Sequence, residues 1–212
     1  MIKQLSFLLL SIMVAGLLVW YTDNNQTDSQ RGSAQGVAMQ AGTYLSPAKE
    51  LQAISLIDHN GDAFTKIQLQ NKWSFIFFGY TNCPDICPTA LGDLNRIANM
   101  LDKMNTSPLD VQYLFISVDP ERDTPEKLKE YVKYFNPGFI GLSGTKAALD
   151  GFTRQLNTAY FFEKKEATDT SYNVSHSSAI LLLNPQGALQ ALFSVPHNAK
   201  DIAQDFLTLV KG

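Results

Sequence analysis

Cysteine is almost missing from this sequence: Cys83 and Cys87 are the only two in 212 residues. A small disulfide-stapled scaffold is thereby excluded. Basic clusters are missing as well. The longest basic run is Lys164-Lys165 and the formal net charge is −3. No nucleic-acid partner is expected, because a non-specific binder needs a phosphate-neutralising patch. Histidine is scarce, with His59, His176 and His197 the complete set. Apolar residues, by contrast, make up 45 % of the chain against 17 % charged, with thirteen Phe and eight Tyr. Such a composition builds a substantial core and is incompatible with wholesale disorder. The length fits one globular domain with appendages.

Residues 1–21 (MIKQLSFLLLSIMVAGLLVWY) carry one charge, Lys3, ahead of an apolar run from Leu5 to Tyr21. A run of about 17 residues is the lower limit for crossing roughly 30 Å of hydrocarbon. Trp20 and Tyr21 fall where interfacial aromatics anchor a span. Lys3 before the run, and Asp23 and Asp28 after it, orient the N-terminus inside. A cleaved signal peptide shares this basic start and apolar centre. No convincing A-x-A site or lipobox cysteine follows, which favours a signal anchor or transmembrane helix; either way the remainder is expected to be exported. Residues 22–44 are rich in Gln, Asn, Ser, Gly and Thr without an apolar period. They read as a flexible tether with an r.m.s. reach of roughly 25–30 Å.

From residue 45 to 212 the pattern becomes periodic. LQAISLID and DAFTKIQL flank His59-Asn60-Gly61, a strong hairpin signal. WSFIFFGY (73–80) is nearly continuously apolar, as a strand buried on both faces should be, and VQYLFISV (111–118) is a second such strand. Leu91, Leu94, Ile97, Ala98 and Leu101 recur at helical spacing. Asp123-Thr124-Pro125-Glu126 starts another helix, with Asp123 as candidate N-cap. A short strand at 139–143, a helix at 145–156 and an extended piece at 160–163 follow. A hairpin around Asn184-Pro185-Gln186-Gly187 and a helix at 201–210 complete the pattern. The order describes an α/β layered domain of the thioredoxin-like kind, with an N-terminal β-hairpin extension and a membrane anchor ahead of it.

The cysteines lie in Gly79-Tyr80-Thr81-Asn82-Cys83-Pro84-Asp85-Ile86-Cys87-Pro88. Each precedes a proline, which pushes it away from the α region. The expected arrangement has Cys83 in the loop, Cys87 at the N-cap and Pro88 at the first helical position. The positive end of the helix then favours thiolate over thiol. Two chemistries compete for such a pair. A disulfide needs Cα atoms roughly 4.4–6.8 Å apart, which this spacing can meet. A bridged metal needs sulfurs roughly 4 Å apart, and structural zinc would need two more ligands. Soft, low-coordinate Cu(I) tolerates two sulfurs and one imidazole. His59, in a polar turn, reads as solvated, and His197 as surface or structural. His176, just before the apolar strand 179–183, reads either as the third ligand or as a capped loop histidine. Asp119 and Asp123 read as loop bracing and helix capping with Arg122 as internal ion-pair partner; a carboxylate near the metal, such as Asp119, would matter more for Cu(II). Asp85 reads as a turn cap, Met100 and Met104 as core packing, and Tyr80 with the 75–78 cluster as core and wall.

FFGYTNCPDICPTAL (77–91), ISVDPERDTPEKLKEYVKYF (116–135) and VSHSSAILLLNPQG (174–187), with DHNGDAF (58–64), resemble the SCO/SenC family of copper-binding proteins. The resemblance spans residues 54–193. It implies a thioredoxin-like copper metallochaperone held in a membrane, with Cys83, Cys87 and His176 as ligands to Cu(I) or Cu(II). The implied partners are the copper-site subunit of cytochrome c oxidase and another copper carrier, and the implied location is a bacterial inner membrane with the globular part in the periplasm. An alternative role is reduction of that copper site's cysteines through the Cys83–Cys87 redox pair, and another is redox or copper sensing. Asn82 departs from the His that members often carry there.

Overall fold

The computed structural model describes residues 39–104, 110–166 and 168–211. The anchor expected at 1–21, and the tether up to residue 38, lie outside them. No helix among the described residues is long and apolar enough to cross a membrane. In chain order the elements are β1 (Gly42–Lys49), β2 (Leu56–Asp58), β3 (Ala63–Phe64), a 3₁₀ turn (Lys66–Leu69), β4 (Trp73–Gly79), α1 (Ile86–Lys103), β5 (Val111–Ser117), α2 (Pro125–Phe135), β6 (Ile140–Ser143), α3 (Lys146–Gln155), β7 (Tyr160–Phe162), β8 (Val174–His176), β9 (Ile180–Leu183), β10 (Leu189–Phe193) and α4 (Ala199–Lys211).

An eight-stranded sheet runs β1-β10-β9-β4-β5-β6-β2-β3, and β7 with β8 forms a separate two-stranded ribbon. β4 pairs in parallel with β5 along its whole length, from Trp73↔Val111 to Gly79↔Ser117, and β5 pairs in parallel with β6. On its other edge β4 pairs antiparallel with β9. This α/β arrangement is the expected thioredoxin-like one. Every β4 residue after Trp73 is buried, which explains its continuous apolar run. Alternation along the strand then sends aromatics to both faces. Phe75 meets Phe193 and Phe206, Phe77 meets Phe115, and Phe78 meets Phe152 of α3.

The leading hairpin is present but short, because the 3₁₀ turn takes over at Lys66 behind a Thr65–Gln68 capping box. Asp58 Oδ1 accepts the backbone N–H groups of Asn60 and Asp62, and Gly61 supplies the positive φ of +88° that the turn requires. The hairpin lies along β6, which corrects the expectation for His59. That side chain is buried, not solvated, and its Nδ1 accepts the Gly141 N–H at 2.9 Å. Desolvation by burial holds its pKa below the usual histidine value.

The C-terminal end of the expected tether is also corrected: Gly42–Tyr44 belong to β1, paired with β10. Buried Asp205 of α4 secures this edge by accepting three successive N–H groups, from Gln40, Ala41 and Gly42, at 2.7, 2.8 and 3.0 Å. At α2 the cap is Thr124, whose Oγ1 accepts from Lys127 N, with Pro125 first in the helix. Asp123 is not the cap; its carboxylate is committed elsewhere.

Candidate metal centre

Cys87 is the first member of the buried stripe of α1, which continues through Ala90, Leu91, Leu94, Ile97, Ala98 and Leu101. The helix starts earlier than expected. Asp85 is the N-cap, and Cys87 and Pro88 are the second and third helical residues. Pro88 is still tolerated, because N–H groups of the first turn have no intrahelical acceptor. The Asp85 carboxylate makes no capping bond, so it does not cap the turn; its carbonyl accepts from the Thr89 N–H and hydroxyl. Instead the Cys83 Sγ accepts the Cys87 N–H at 3.4 Å, placing a sulfur where a capping oxygen would usually sit. Cys83 itself lies in the loop after β4, its N–H donated to the Tyr80 carbonyl at 3.2 Å.

Gly79, the last residue of β4, makes the close approach possible. A Cβ there would lie 2.6 Å from Cys87 Sγ and 2.8 Å from the Phe115 ring. The sulfur therefore packs directly against backbone. Cys87 has no exposed surface and Cys83 has 9 %, so Cys83 is the accessible member of the pair.

His176 arrives from the other side as the last residue of β8, an element the sequence reading missed in favour of a loop. Its ring is packed edge-on between Phe77 and Tyr80, with centroids at 5.9 and 6.0 Å. Nδ1 lies 2.9 Å from the Ser177 carbonyl. A carbonyl only accepts, so Nδ1 carries the proton and Nε2 of the neutral ring keeps the lone pair. Nε2 is 3.3 Å from Cys87 Sγ. The ligand atoms of Cys83, Cys87 and His176 all lie within 4.8 Å of one another. Among the described residues this is the only cluster of three His, Cys, Asp or Glu side chains able to hold a metal.

The two thiols are free and their chemistry is split. A hydrogen bond from Cys87 pulls the Cys83 thiol down to about 5 against the opposing effect of burial, helped by the backbone N–H groups of Cys87 and Asp85. The same hydrogen bond, together with burial, pushes Cys87 up. The pair therefore favours a proton on the inner sulfur and negative charge on the outer one near neutral pH. Two sulfurs and a neutral imidazole lone pair suit a soft cation of low coordination number. Trigonal bonds of about 2.3 Å would separate the sulfurs by roughly 4 Å, which the cluster accommodates.

His197 and His59 are not part of the site. The His197 side chain is buried, with Nδ1 4.0 Å from Asp93 Oδ2. Asp119 is fully buried and braced by Arg122 and Tyr172. Met100 packs against the core, whereas Met104 is exposed at the far end of α1 rather than packed. Gly79 and Ser177 escaped the sequence reading as contributors to the site, whereas Arg122 is the ion-pair partner of Asp119 that was expected. Only Gly79, immediately after an apolar strand and before the cysteine loop, carried a signal that could have been read.

The family model described as SCO1/SenC matches residues 43–211. An SCO2-like protein of Rickettsia prowazekii is 39 % identical over 151 residues, 71 % of this chain and 72 % of that protein. Among solved structures, yeast Sco1 with copper bound superposes with a TM-score of 0.70 at 32 % identity, covering 76 % of this chain and 88 % of that one. Arabidopsis thaliana ScoI with copper bound gives 0.67 at 34 % identity, covering 76 % and 97 %. The match across nearly the whole described domain, with the cysteine pair and the histidine at one point in it, means that this chain belongs to the SCO1/SenC family.

Proposed function

We propose that the protein is a copper carrier that holds one ion between Cys83, Cys87 and His176 and delivers it to the dinuclear copper site of cytochrome c oxidase during assembly. The observation that carries the reading is the convergence of two sulfurs with an imidazole whose Nδ1 is already committed to Ser177, leaving Nε2 free to ligate. The copper-bound Arabidopsis and yeast relatives support it. A three-ligand site leaves the ion open to an incoming donor, as release to a recipient requires. The apolar segment at 5–21 would tether the domain to the inner membrane, with the domain on the periplasmic side.

Copper titration of the reduced protein tests this directly. Wild type should take up one equivalent. Cys83→Ser and Cys87→Ser should each weaken binding by more than the roughly 100-fold that marks loss of a ligand's hydrogen-bond partner. Full-affinity, one-equivalent binding by either variant would contradict the proposal.

The split between the thiols favours one second reading, reduction of a partner disulfide. The Cys83 thiolate would attack the partner's disulfide and displace one partner thiolate, forming a mixed disulfide. Cys87, on losing its proton, would then attack Cys83 sulfur, leaving the partner dithiol and an oxidised Cys83–Cys87 pair. Activity surviving His176→Ala would favour this reading; loss of activity would favour copper transfer.

A further inference from the structure

One short turn reaches both halves of the site. Asp123 accepts the Thr81 N–H at 2.9 Å, the Thr81 hydroxyl at 2.5 Å and the Ser117 hydroxyl at 2.7 Å. That fixes the chain two residues before Cys83. Four residues earlier, Asp119 accepts the Tyr172 hydroxyl at 2.8 Å and the Nε–H of Arg122. Arg122 then donates from Nη1 to the Tyr172 carbonyl at 2.9 Å, and its guanidinium lies over the Tyr172 ring at 3.6 Å. Tyr172 is buried and stands four residues before His176.

Among the described residues the ribbon that carries His176 pairs only with itself, and two strands alone are marginal in water. Its position must come from side chains that bind it to the body of the domain. Arg122 is suited to this, since its planar fork can serve a carboxylate and a carbonyl while stacking on an aromatic ring, which an ammonium cannot do. The buried Nη2 has no hydrogen-bond partner. Arg122 is thus held by its other contacts despite one unsatisfied donor.

We propose that Arg122, with Asp119 and Tyr172, is a clasp that sets the distance between His176 Nε2 and the two sulfurs. Arg122 is a positioning residue: it governs the imidazole's share of copper binding without touching the ion. The role in copper binding rests on the carrier reading; the role in placing the ring does not.

The test uses full-length, reduced protein and the variants Arg122→Gln and Tyr172→Phe. In metal-free protein, NMR contacts between the His176 ring and the Phe77 and Tyr80 rings should fade in Arg122→Gln and weaken in Tyr172→Phe. Unchanged contacts in both would overturn the clasp whether or not copper binds. With copper, Arg122→Gln should lower affinity about tenfold in the presence of His176, and have no effect in the His176→Ala background. An equal loss in both backgrounds would make Arg122 merely structural and overturn the clasp, leaving the carrier reading intact. No loss on His176→Ala alone would overturn the carrier reading instead. Should Arg122→Gln fail to fold, Tyr172→Phe, which keeps the ring, carries both measurements.

Discussion

The cysteine side and the histidine side of the site are built differently. Cys87 starts the buried stripe of an 18-residue helix and its sulfur packs against the end of the central strand. His176 ends a three-residue strand whose ribbon partner, β7, has its middle residue, Phe161, 68 % exposed. Displacing the inner sulfur means disturbing the core of the domain. Displacing the imidazole means moving a ribbon held by side chains. A carrier gains from that asymmetry: the sulfurs form a fixed cradle, and the nitrogen is the ligand with least holding it in place.

The sharpest way to break the comparison is to weaken each side in turn. Leu91→Ala, fully buried one turn beyond Cys87, should cost about 2–5 kcal/mol in urea denaturation of the metal-free protein. A cost under about 1 kcal/mol would mean that the cysteine side is not the rigid one. Gly79→Ala forces a methyl group against Cys87 Sγ and the Phe115 ring. About 1–3 kcal/mol should be lost, together with a slower reaction of copper with the thiols; an unaffected variant would show that the sulfur can move aside.

pH sharpens the contrast between the two sulfurs. Cys83 is pulled down to about 5, against an ordinary thiol value of about 8.5. Between those values the unfolded chain holds a proton that the folded one does not. The Cys83 contribution to stability is therefore present above pH 8.5 and is lost as pH falls through 5. Cys87, pushed up, acts in the opposite sense above about 8.5, where only the unfolded thiol ionises. Comparing urea midpoints of reduced wild type and Cys83→Ser should give a gap that widens from pH 5 to 8. A gap independent of pH would contradict the assignment. Smallest of all, Phe161→Ser on the ribbon should change stability by no more than about 0.5 kcal/mol; a larger loss would mean that the exposed ring is part of the packing.

Much of this was legible in the residues themselves. The apolar runs of β4 and β5 announced the paired central strands, because burial on both faces admits only a few hydrogen-bonded polar residues, here Ser74, Gln112 and Ser117. The stripe of α1 was equally plain. Elements set by long-range contacts were not. β1 lies in polar, proline-containing sequence and exists because β10 and Asp205 take up its backbone groups. β8 is three residues long and alternates buried and exposed too briefly to be read. His59 looked solvated because nothing local says that β6 lies beside its turn. At α2 the expected cap was Asp123, and the role falls to Thr124 because the cysteine loop claims the Asp123 carboxylate. The cysteine pair marked itself out by composition alone. Its meeting with His176 across 89 residues was one of two readings the residues left open, and the resemblance to a family decided between them.

X-ray absorption on reduced protein loaded with one equivalent of copper tests the central claim most directly. Two sulfur scatterers and one imidazole nitrogen are expected in wild type, with the nitrogen lost and both sulfurs kept in His176→Ala. A sulfur-only site in wild type, or an imidazole signal that survives the substitution, would contradict the account.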